Sequence, residues 1–400
     1  MISERLKNIE ISPTMKIAAK AIILKSEGVD LVDFTVGEPD FPTPEFIKNA
    51  GKEAIDNNIT KYTINRGDIN LRKVIVDKYK NNYNLDYDIS NVIISNGAKH
   101  AIYNTIMALI NSGNEVIIPA PYWVSYPQIV KLAGGIPVFI ETKEENAFKL
   151  KPYELRKAIT DRTKLLIICN PSNPTGTVYT PEELCALTSE LENKNIYVIS
   201  DEIYEKLIFD NIEYKSFAAC SQKCKEKTII VNGVSKAYAM TGWRLGYAIG
   251  PKDIISAADT VQSHSTSNAS SIAQYAALKA LTGPSNEIEM MRQEFEKRRN
   301  YIIERLNNIK DISCVKPNGA FYAFPNVKSY VRIRLNNTLI KNDYDLALYL
   351  MDEAKVSLMP GSAFGLENYI RISYATSIKK IEEGMNRIEK TLKNLHYKIS

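Results

Sequence analysis

A lysine and an arginine that follow one apolar run are the residues best suited to chemistry. The run 228–231 is rich in β-branched residues and predicts a buried strand, so Lys236 follows a strand's carboxyl end. Ligands bind at that end of the strands in open α/β sheets. Arg244 lies between Gly242 and Gly246, where the backbone can approach closely and a planar cation can reach inward. An amine near a guanidinium suited to phosphate indicates a phosphorylated aldehyde held as a Schiff base.

Four more apolar runs are followed by small, polar or aromatic residues that suit a flat, charged ligand. The runs 92–95, 115–118, 164–169 and 195–199 precede Gly97-Ala98-Lys99, Trp123, Asn173, and Asp201 with Tyr204. Helical stretches at 99–110, 124–133 and 181–193 lie between the runs and predict a mostly parallel sheet covered by helices. Each loop alone is equally typical of an ordinary turn, helix cap or packed aromatic residue. Together the loops would meet at one edge of one sheet.

Several motifs in a fixed order resemble those of a known family. They are Gly37-Glu38-Pro39-Asp40-Phe41, Asn170-Pro171-Ser172-Asn173-Pro174-Thr175-Gly176, Ser235-Lys236 with Arg244, and Arg371-Ile372-Ser373. In these motifs the chain resembles the class I pyridoxal-phosphate-dependent aminotransferases of fold type I, closest to the bacterial aspartate/prephenate branch. The resemblance extends from Gly37 to Arg371, which is nearly the whole chain. It implies pyridoxal 5'-phosphate as the cofactor.

The resemblance also implies roles for the cofactor-binding residues. Lys236 would form the Schiff base, and Asp201 would keep the pyridine nitrogen protonated so that the ring accepts electrons. Trp123 would stack on the ring, while Asn173 and Tyr204 would bond its phenolic oxygen. The phosphate would be held by Gly97, Ala98, Lys99, Ser235 and Arg244, and by Tyr62 from the other subunit of a homodimer. Many family members have Ser three places before the lysine, where this chain has Gly233.

For the substrate, the resemblance implies an α-carboxylate site. Gly37 and Arg371 would hold that carboxylate, with Trp123 and Asn173 beside it. The expected reaction moves an amino group from an L-amino acid to a 2-oxo acid in ping-pong order. Lys236 would move the proton between the substrate's Cα and the cofactor.

The substrate's side chain is less well defined by the sequence. The segment Ser12-Pro13-Thr14 resembles one that closes over substrate in the aspartate and prephenate enzymes, which favours aspartate with 2-oxoglutarate. A dicarboxylic substrate needs a second basic group, and Arg66 is a candidate only by its position near Tyr62. Aromatic amino acids and prephenate are alternative substrates. A carbon–sulfur β-lyase and a non-enzymatic domain are alternative functions of the same fold.

The predicted architecture is an α/β fold of fold type I with two domains. A large cofactor-binding domain with a mostly parallel central sheet would span 46–285. Residues 1–45 would form an N-terminal arm and part of the small domain. Residues 286–400 would form a connector helix, amphipathic over 286–306, and a small α+β domain with strands near 319–324 and 368–373.

Composition limits the remaining classes of function. A net charge of +5 over 400 residues is too dilute for a nucleic-acid surface. The five cysteines are scattered, so we expect no disulfide framework, no zinc site, and free thiols at Cys220 and Cys224. No apolar run approaches the ~20 residues that span a bilayer. The sequence therefore predicts a cytoplasmic enzyme without a metal, a membrane anchor or a nucleic-acid partner.

Overall fold

The computed structural model describes residues 2–7, 9, 13–335 and 338–397. Its helices are α1 Pro13–Ser26, α2 Glu45–Asp56, α3 Ile69–Tyr83, α4 Ala98–Leu109, α5 Ser125–Leu132, α6 Pro152–Ala158, α7 Pro181–Thr188, α8 Gln222–Lys227, α9 Lys252–Ser263, α10 Ser271–Thr282, α11 Asn286–Asn307, α12 Asp343–Glu353 and α13 Ile378–Tyr397. Its strands are β1 Val32–Asp33, β2 Val92–Ser95, β3 Glu115–Ala120, β4 Ile136–Glu141, β5 Thr163–Cys169, β6 Tyr197–Asp201, β7 Thr228–Gly233, β8 Gly246–Ile249, β9 Tyr322–Ala323, β10 Ile333–Leu335, β11 Thr338–Ile340, β12 Val356–Ser357, β13 Met359–Pro360 and β14 Ile370–Ser373.

Seven strands form the central sheet, in the order β2-β8-β7-β6-β5-β3-β4. Adjacent strands pair in parallel across the part of the sheet formed by β7, β6, β5, β3 and β4. β8 lies between β2 and β7 and runs antiparallel to both. All five apolar runs identified in the sequence are strands of this sheet. The predicted mostly parallel, helix-covered sheet is confirmed.

Two strands of the sheet are not predicted by the sequence pattern. β4 contains Pro137, which cannot donate a ladder hydrogen bond, and β4 is accordingly the edge strand. β8 is short and begins inside the segment that carries Lys236 and Arg244. Because β8 returns antiparallel, Gly246 packs against the turn before α4, where an added Cβ would lie 2.3 Å from the backbone nitrogen of Ala98. β8 thereby brings Arg244 to the start of α4.

Helices cover both faces of the sheet because successive side chains of a strand point to opposite sides. Ile93 packs with Ile102 of α4 and Ile255 of α9 on one face. Ile94 packs with Ile75 of α3 on the other face. Full burial of each such side chain contributes about 1.5–3 kcal/mol, so the sheet is a rigid base for the loops at its edge.

The long helix α11 leads from the central sheet to a second group of elements, as the amphipathic stretch 286–306 predicts. That group includes the three-stranded sheet β13-β14-β9 and the helices α12 and α13. β1, from the N-terminal part of the chain, pairs in parallel with β12 of this group. The boundaries 1–45, 46–285 and 286–400 stay a prediction.

One cysteine prediction is wrong. Cys185 and Cys220 form a disulfide with a Cα–Cα distance of 5.2 Å, across 35 residues of sequence. The bond is possible because α7 packs on the short helical turn that contains Cys220, a contact that cysteine spacing does not reveal. α7 also ends at Thr188 rather than near 193. Cys169, Cys224 and Cys314 are free thiols.

Within residues 2–7, 9, 13–335 and 338–397, none of the helices combines the length and the apolar character that crossing a bilayer requires. Within the same ranges, no group of His, Cys, Asp and Glu side chains is arranged to hold a metal ion.

Candidate active site

A cavity of ≈ 380 Å³ lies where the carboxyl ends of β3, β5, β6 and β7 meet the start of α4. Most of the predicted site residues line it: Gly37, Ala98, Lys99, Trp123, Asn173, Asp201, Tyr204, Ser235, Lys236, Arg244 and Arg371. Side chains that are far apart in sequence thus face one space. Gly97 and Tyr62 are the predicted residues that do not line it.

Lys236 enters the cavity from the loop after β7. Its Nζ donates a hydrogen bond to the carbonyl oxygen of Gly37 at 2.6 Å. The pKa of Lys236 is lowered to about 8, mainly by burial and also by the positive charges of Arg371 and Arg244, while Glu38 and Asp201 oppose the shift. A lysine with a pKa near neutral can both release and accept a proton, which a solvated lysine cannot do efficiently.

Core packing and a hydrogen bond from another segment hold the loop that carries Lys236 in place. Val234 and Met240 are fully buried in the core beneath it. Thr43 donates from Oγ1 to the carbonyl oxygen of Ala239 at 2.6 Å. The segment that follows Gly37 therefore anchors the lysine loop, which explains why two motifs far apart in sequence act at one place.

The start of α4 and Arg244 form a site for an anion. Gly97, the N-cap residue, has φ +88°, and an added Cβ there would lie 2.5 Å from Nη2 of Arg244. The guanidinium is held by the carbonyl oxygens of Thr241 at 2.8 Å and Asn96 at 3.4 Å. The first N–H groups of a helix have no carbonyl one turn back, and the helix dipole adds positive potential. The buried Ser235 adds a hydroxyl, so the site suits a phosphate.

Asp201, the last residue of β6, is 4 % exposed and is held by neutral donors. The hydroxyl of Tyr126 donates to its Oδ2 at 2.6 Å, and the N–H of Ile203 donates to its Oδ1 at 3.3 Å. Burial raises the pKa of Asp201 to about 6, against the lowering effects of these bonds and of Lys236. A buried carboxylate of this kind gains from a cationic partner inside the cavity.

Arg371 is a buried cation, and the residues that it contacts in the described part of the chain are neutral. It is 6 % exposed, and it donates to the carbonyl oxygen of Thr35 at 2.7 Å and to Oδ1 of Asn173 at 3.2 Å. Its guanidinium lies 4.5 Å from the ring centroid of Tyr322 and 4.8 Å from that of Phe364. Its buried Nε has no hydrogen-bond partner within the described part of the chain. A carboxylate entering the cavity would supply the missing negative charge.

Four aromatic residues, Trp123, Tyr126, Tyr204 and Tyr322, complete the walls of the cavity. The Tyr204 and Tyr322 hydroxyls are 2.9 Å apart. The ring of Trp123 meets that of Tyr126 edge-on, with centroids 5.3 Å apart. The ammonium of Lys99 lies 5.0 Å from the Trp123 ring centroid. A flat ligand placed beside Trp123 would therefore have hydroxyls, a carboxylate and an amine within the same cavity.

Two of the predicted side chains, those of Tyr62 and Arg66, do not line this cavity. Tyr62 is 92 % exposed on the surface of the single chain. The side chain of Arg66 binds residues outside the cavity: its Nε pairs with Asp259 at 2.8 Å, and its Nη2 donates to Ser256 at 2.8 Å. Arg66 does not line the cavity of its own chain, so it is not placed to bind the second carboxylate of a substrate there. Ser12 lies outside the described residues.

Several lining residues escaped the sequence analysis. They are Thr35, Ile102, Val124, Tyr126, Cys169, Ile203, Thr241, Tyr322, Met359 and Phe364. Tyr126 follows Trp123 by three residues, across the turn that leads into α5, which is a signal that spacing could have provided. Tyr322 and Phe364 come from the second group of elements, and no motif places them opposite Asp201 and Arg371.

Comparison with known proteins agrees with this geometry. The family model described as aminotransferase class I and II matches residues 29–388. The aspartate aminotransferase of Geobacillus stearothermophilus is 47% identical over 97% of this chain and 98% of its own. The probable aspartate/prephenate aminotransferase of Rickettsia felis is 46% identical over 100% of this chain and 98% of its own.

The fold of this chain is also similar to that of a solved structure. The aspartate aminotransferase from Thermus thermophilus with maleate has a TM-score of 0.91 and 38% identity, covering 98% of this chain and 99% of its own. Because both the family model and the full-length relatives include every strand-end loop of the cavity, this chain belongs to the class I and II aminotransferases and is an aminotransferase.

Proposed function

We propose that this aminotransferase uses pyridoxal 5'-phosphate and moves the amino group of L-aspartate to 2-oxoglutarate. The observation that carries the proposal is that Lys236, Asp201, Arg371 and the anion site at α4 share one cavity. An amine, an acid, a carboxylate-binding cation and a phosphate site are the groups that a phosphorylated pyridine aldehyde and an amino acid require.

The residues present fit the cofactor. Arg244, Ser235 and the N–H groups at the start of α4 would hold its phosphate. Trp123 would pack on its ring, and Asn173 and Tyr204 would contact its phenolic oxygen. When bound, this cofactor supplies an electron-accepting ring next to the substrate's Cα. Asp201 would keep positive charge on the ring nitrogen, and in return the charge would favour the ionised carboxylate that burial disfavours.

Lys236 would hold and move the proton at the substrate's Cα. With a pKa of about 8, roughly a tenth of the amine is unprotonated at pH 7, far more than in a solvated lysine, and a general base requires this form. The hydrogen bond to Gly37 holds the amine in the cavity that Arg371 also lines, where Arg371 would bind a carboxylate. The amine and the substrate's carboxylate would then be held in a fixed relative position, which favours proton transfer at Cα.

Three observations support a dicarboxylic substrate. Arg371, hydrogen-bonded to Asn173, would form one carboxylate site. Lys99 lines the same cavity, and no salt bridge joins it to an acidic residue in the described ranges, so it could meet a second carboxylate as well as the phosphate. The Thermus thermophilus relative was solved with maleate, itself a dicarboxylate. Prephenate and aromatic substrates, and β-elimination from a sulfur-containing amino acid, would use the same cofactor contacts.

We propose a homodimer in which Tyr62 of each chain reaches the phosphate site of the other. Tyr62 is 92 % exposed, and Ile64 and Ile69 nearby are 60 % and 45 % exposed. Apolar side chains clustered on one surface favour burial against a second molecule. Arg244 and Lys99 are exposed at the mouth of the cavity, where a partner could add contacts.

We propose the cytoplasm as the compartment. The free thiols Cys169, Cys224 and Cys314 suit a reducing environment, whereas the Cys185–Cys220 bond does not. The state of that pair in protein purified without reductant, measured by thiol titration, tests this point.

The substrate proposal is tested by profiling amino donors against 2-oxoglutarate with the purified protein and added pyridoxal phosphate. We expect aspartate to give the highest kcat/KM, with one glutamate formed for each 2-oxoglutarate consumed. A preference for phenylalanine as the amino donor, or for prephenate over 2-oxoglutarate as the acceptor, would move the assignment to the alternative. Pyruvate and ammonia released without any 2-oxo acid would indicate a lyase.

A further inference from the structure

The carboxylate of Asp201 depends on one strong hydrogen bond, and that bond comes from Tyr126. The O–H···Oδ2 distance between them is 2.6 Å, which is short for a hydroxyl donor and is typical of bonds to a charged acceptor. The second bond, from the N–H of Ile203, is long at 3.3 Å. Within the described part of the chain, no salt bridge joins Asp201 to a cation.

Tyr126 is itself held rigidly. It lies in the first turn of α5, and its N–H donates to the carbonyl oxygen of Trp123 at 3.0 Å. Its side chain is 2 % exposed, and its ring meets the Trp123 ring at 82°. One tyrosine thus touches both the carboxylate proposed to meet the ring nitrogen and the indole proposed to cover the ring.

We propose that Tyr126 is the positioning residue of Asp201, fixing the rotation of its carboxylate and its distance from the plane that Trp123 defines. The inference rests on the proposed role of Asp201. A buried carboxylate with a single strong donor would otherwise rotate about its χ angles, and a loosely placed acid contributes less to a reaction than a fixed one. A hydrogen bond to the ionised form also favours that form.

The charged and titratable groups around the carboxylate come from three elements. Tyr126 lies on α5, Lys236 on the loop after β7, and Cys169 directly opposite Asp201 in the β5–β6 pair. Burial raises the pKa of the Cys169 thiol, so the thiol is neutral at physiological pH. Of these groups Tyr126 alone has a hydroxyl that donates to the carboxylate, so its removal leaves Asp201 with the weak bond from Ile203.

The test compares Tyr126→Phe with Tyr330→Phe. Tyr330 is a matched control, because it is also 2 % exposed and its hydroxyl donates at 2.7 Å, but to the carbonyl oxygen of Lys310, away from the cavity. Tyr126→Phe keeps the ring that packs on Trp123 and removes only the hydroxyl. We expect kcat to fall about tenfold with little change in KM, and the acidic limb of the kcat/KM profile to move to higher pH. Tyr330→Phe should change neither.

The dissociation constant of pyridoxal phosphate, measured by equilibrium dialysis, gives a readout independent of turnover. We expect it to rise several-fold in Tyr126→Phe and to change far less when Tyr126→Phe is added to Asp201→Ala, because residues that act as a unit are not additive. Tyr126→His, which returns a donor, should recover part of the loss. Additive effects in the double variant, or equal behaviour of the two Phe variants, would overturn the inference. If Asp201→Ala alone leaves cofactor affinity and turnover intact, the proposed role of Asp201 fails instead.

Discussion

At the scale of single residues, burial without a salt bridge to an opposite charge is what distinguishes the functional cations. Among the described residues, Arg371 has hydrogen bonds to neutral groups alone, and Lys236 donates to the backbone carbonyl of Gly37. Desolvation of a cation that lacks a counter-ion costs stability unless a ligand restores the balance. These residues are therefore poised for ligands rather than arranged for the stability of the fold.

Replacement of Arg371 by Gln should weaken substrate binding. The variant keeps a planar hydrogen-bonding group but loses the positive charge and the paired N–H groups that bind both oxygens of a carboxylate. Truncating one partner of a buried charge pair costs about 2–5 kcal/mol. KM for aspartate should accordingly rise by roughly 100-fold or more, with pyridoxal phosphate affinity nearly unchanged. Steady-state kinetics and cofactor titration separate the two effects. An unchanged KM would remove Arg371 from the substrate site.

Replacement of Lys236 by Met should stabilise the cofactor-free protein near neutral pH. Burial lowers the pKa of Lys236 from its ordinary value of 10.5 to about 8. Below pH 8 both folded and unfolded chains hold the proton, and the folded state carries the full cost of the buried charge. Between pH 8 and 10.5 the unfolded chain binds more protons, so wild-type stability rises with pH.

The variant should therefore exceed wild type by roughly 1–3 kcal/mol in free energy of unfolding at pH 7, with the gap closing above pH 8. Urea denaturation at pH 7 and pH 9.5 measures it. A gap that does not change with pH would mean that the amine is solvated in the folded chain.

At the scale of elements, the site depends on a turn that only glycine can form and on a strand that returns antiparallel. The turn before α4 has Gly97 at φ +88°, and β8 places Arg244 against it. The strand-end positions of Lys236 and Asp201 follow from apolar periodicity, and the sequence predicts them correctly. The position of Arg244 over Gly97 depends on β8, which the pattern does not separate from the lysine loop.

Gly97→Ala should lower the affinity for the phosphate group specifically. The new Cβ would lie 2.5 Å from Nη2 of Arg244 and displace it. Gly113→Ala is the matched control, since Gly113 also has a positive φ, +84°, but open space around it. Both variants should lose a similar amount of stability, about 1 kcal/mol or more. Gly97→Ala alone should reduce, about tenfold, the preference for pyridoxal phosphate over pyridoxal, and equal ratios in both variants would contradict the phosphate site.

At the scale of the whole molecule, contacts between distant segments set what sequence patterns can predict. The motifs locate Asn173 and Arg371 separately, but their hydrogen bond spans 198 residues. Tyr126 and Asp201 are likewise 75 residues apart, and no local signal joins them. The Cys185–Cys220 bond was missed for the same reason, since it depends on how α7 packs. Side-chain partners of this kind follow from tertiary packing and not from spacing.

The proposed dimer can be tested by mixing two inactive variants. If Tyr62 serves the site of the other chain, a heterodimer of Tyr62→Ala and Lys236→Ala has one site that lacks both groups and one intact site. Mixed subunits should then recover activity that neither variant shows alone, up to roughly a quarter of wild type when exchange is statistical. Recovery measured after subunit exchange supports the shared site. Activity that stays at the level of the separate variants would place Tyr62 outside it.

The most direct measurement of the central claim is reduction of the holoenzyme with borohydride, followed by peptide mapping. Borohydride converts a Schiff base between lysine and pyridoxal phosphate into a stable secondary amine. We predict a single labelled peptide, with the pyridoxyl group on Lys236 and no label in Lys236→Ala. Label on another lysine, or full transaminase activity with no label at position 236, would contradict the account.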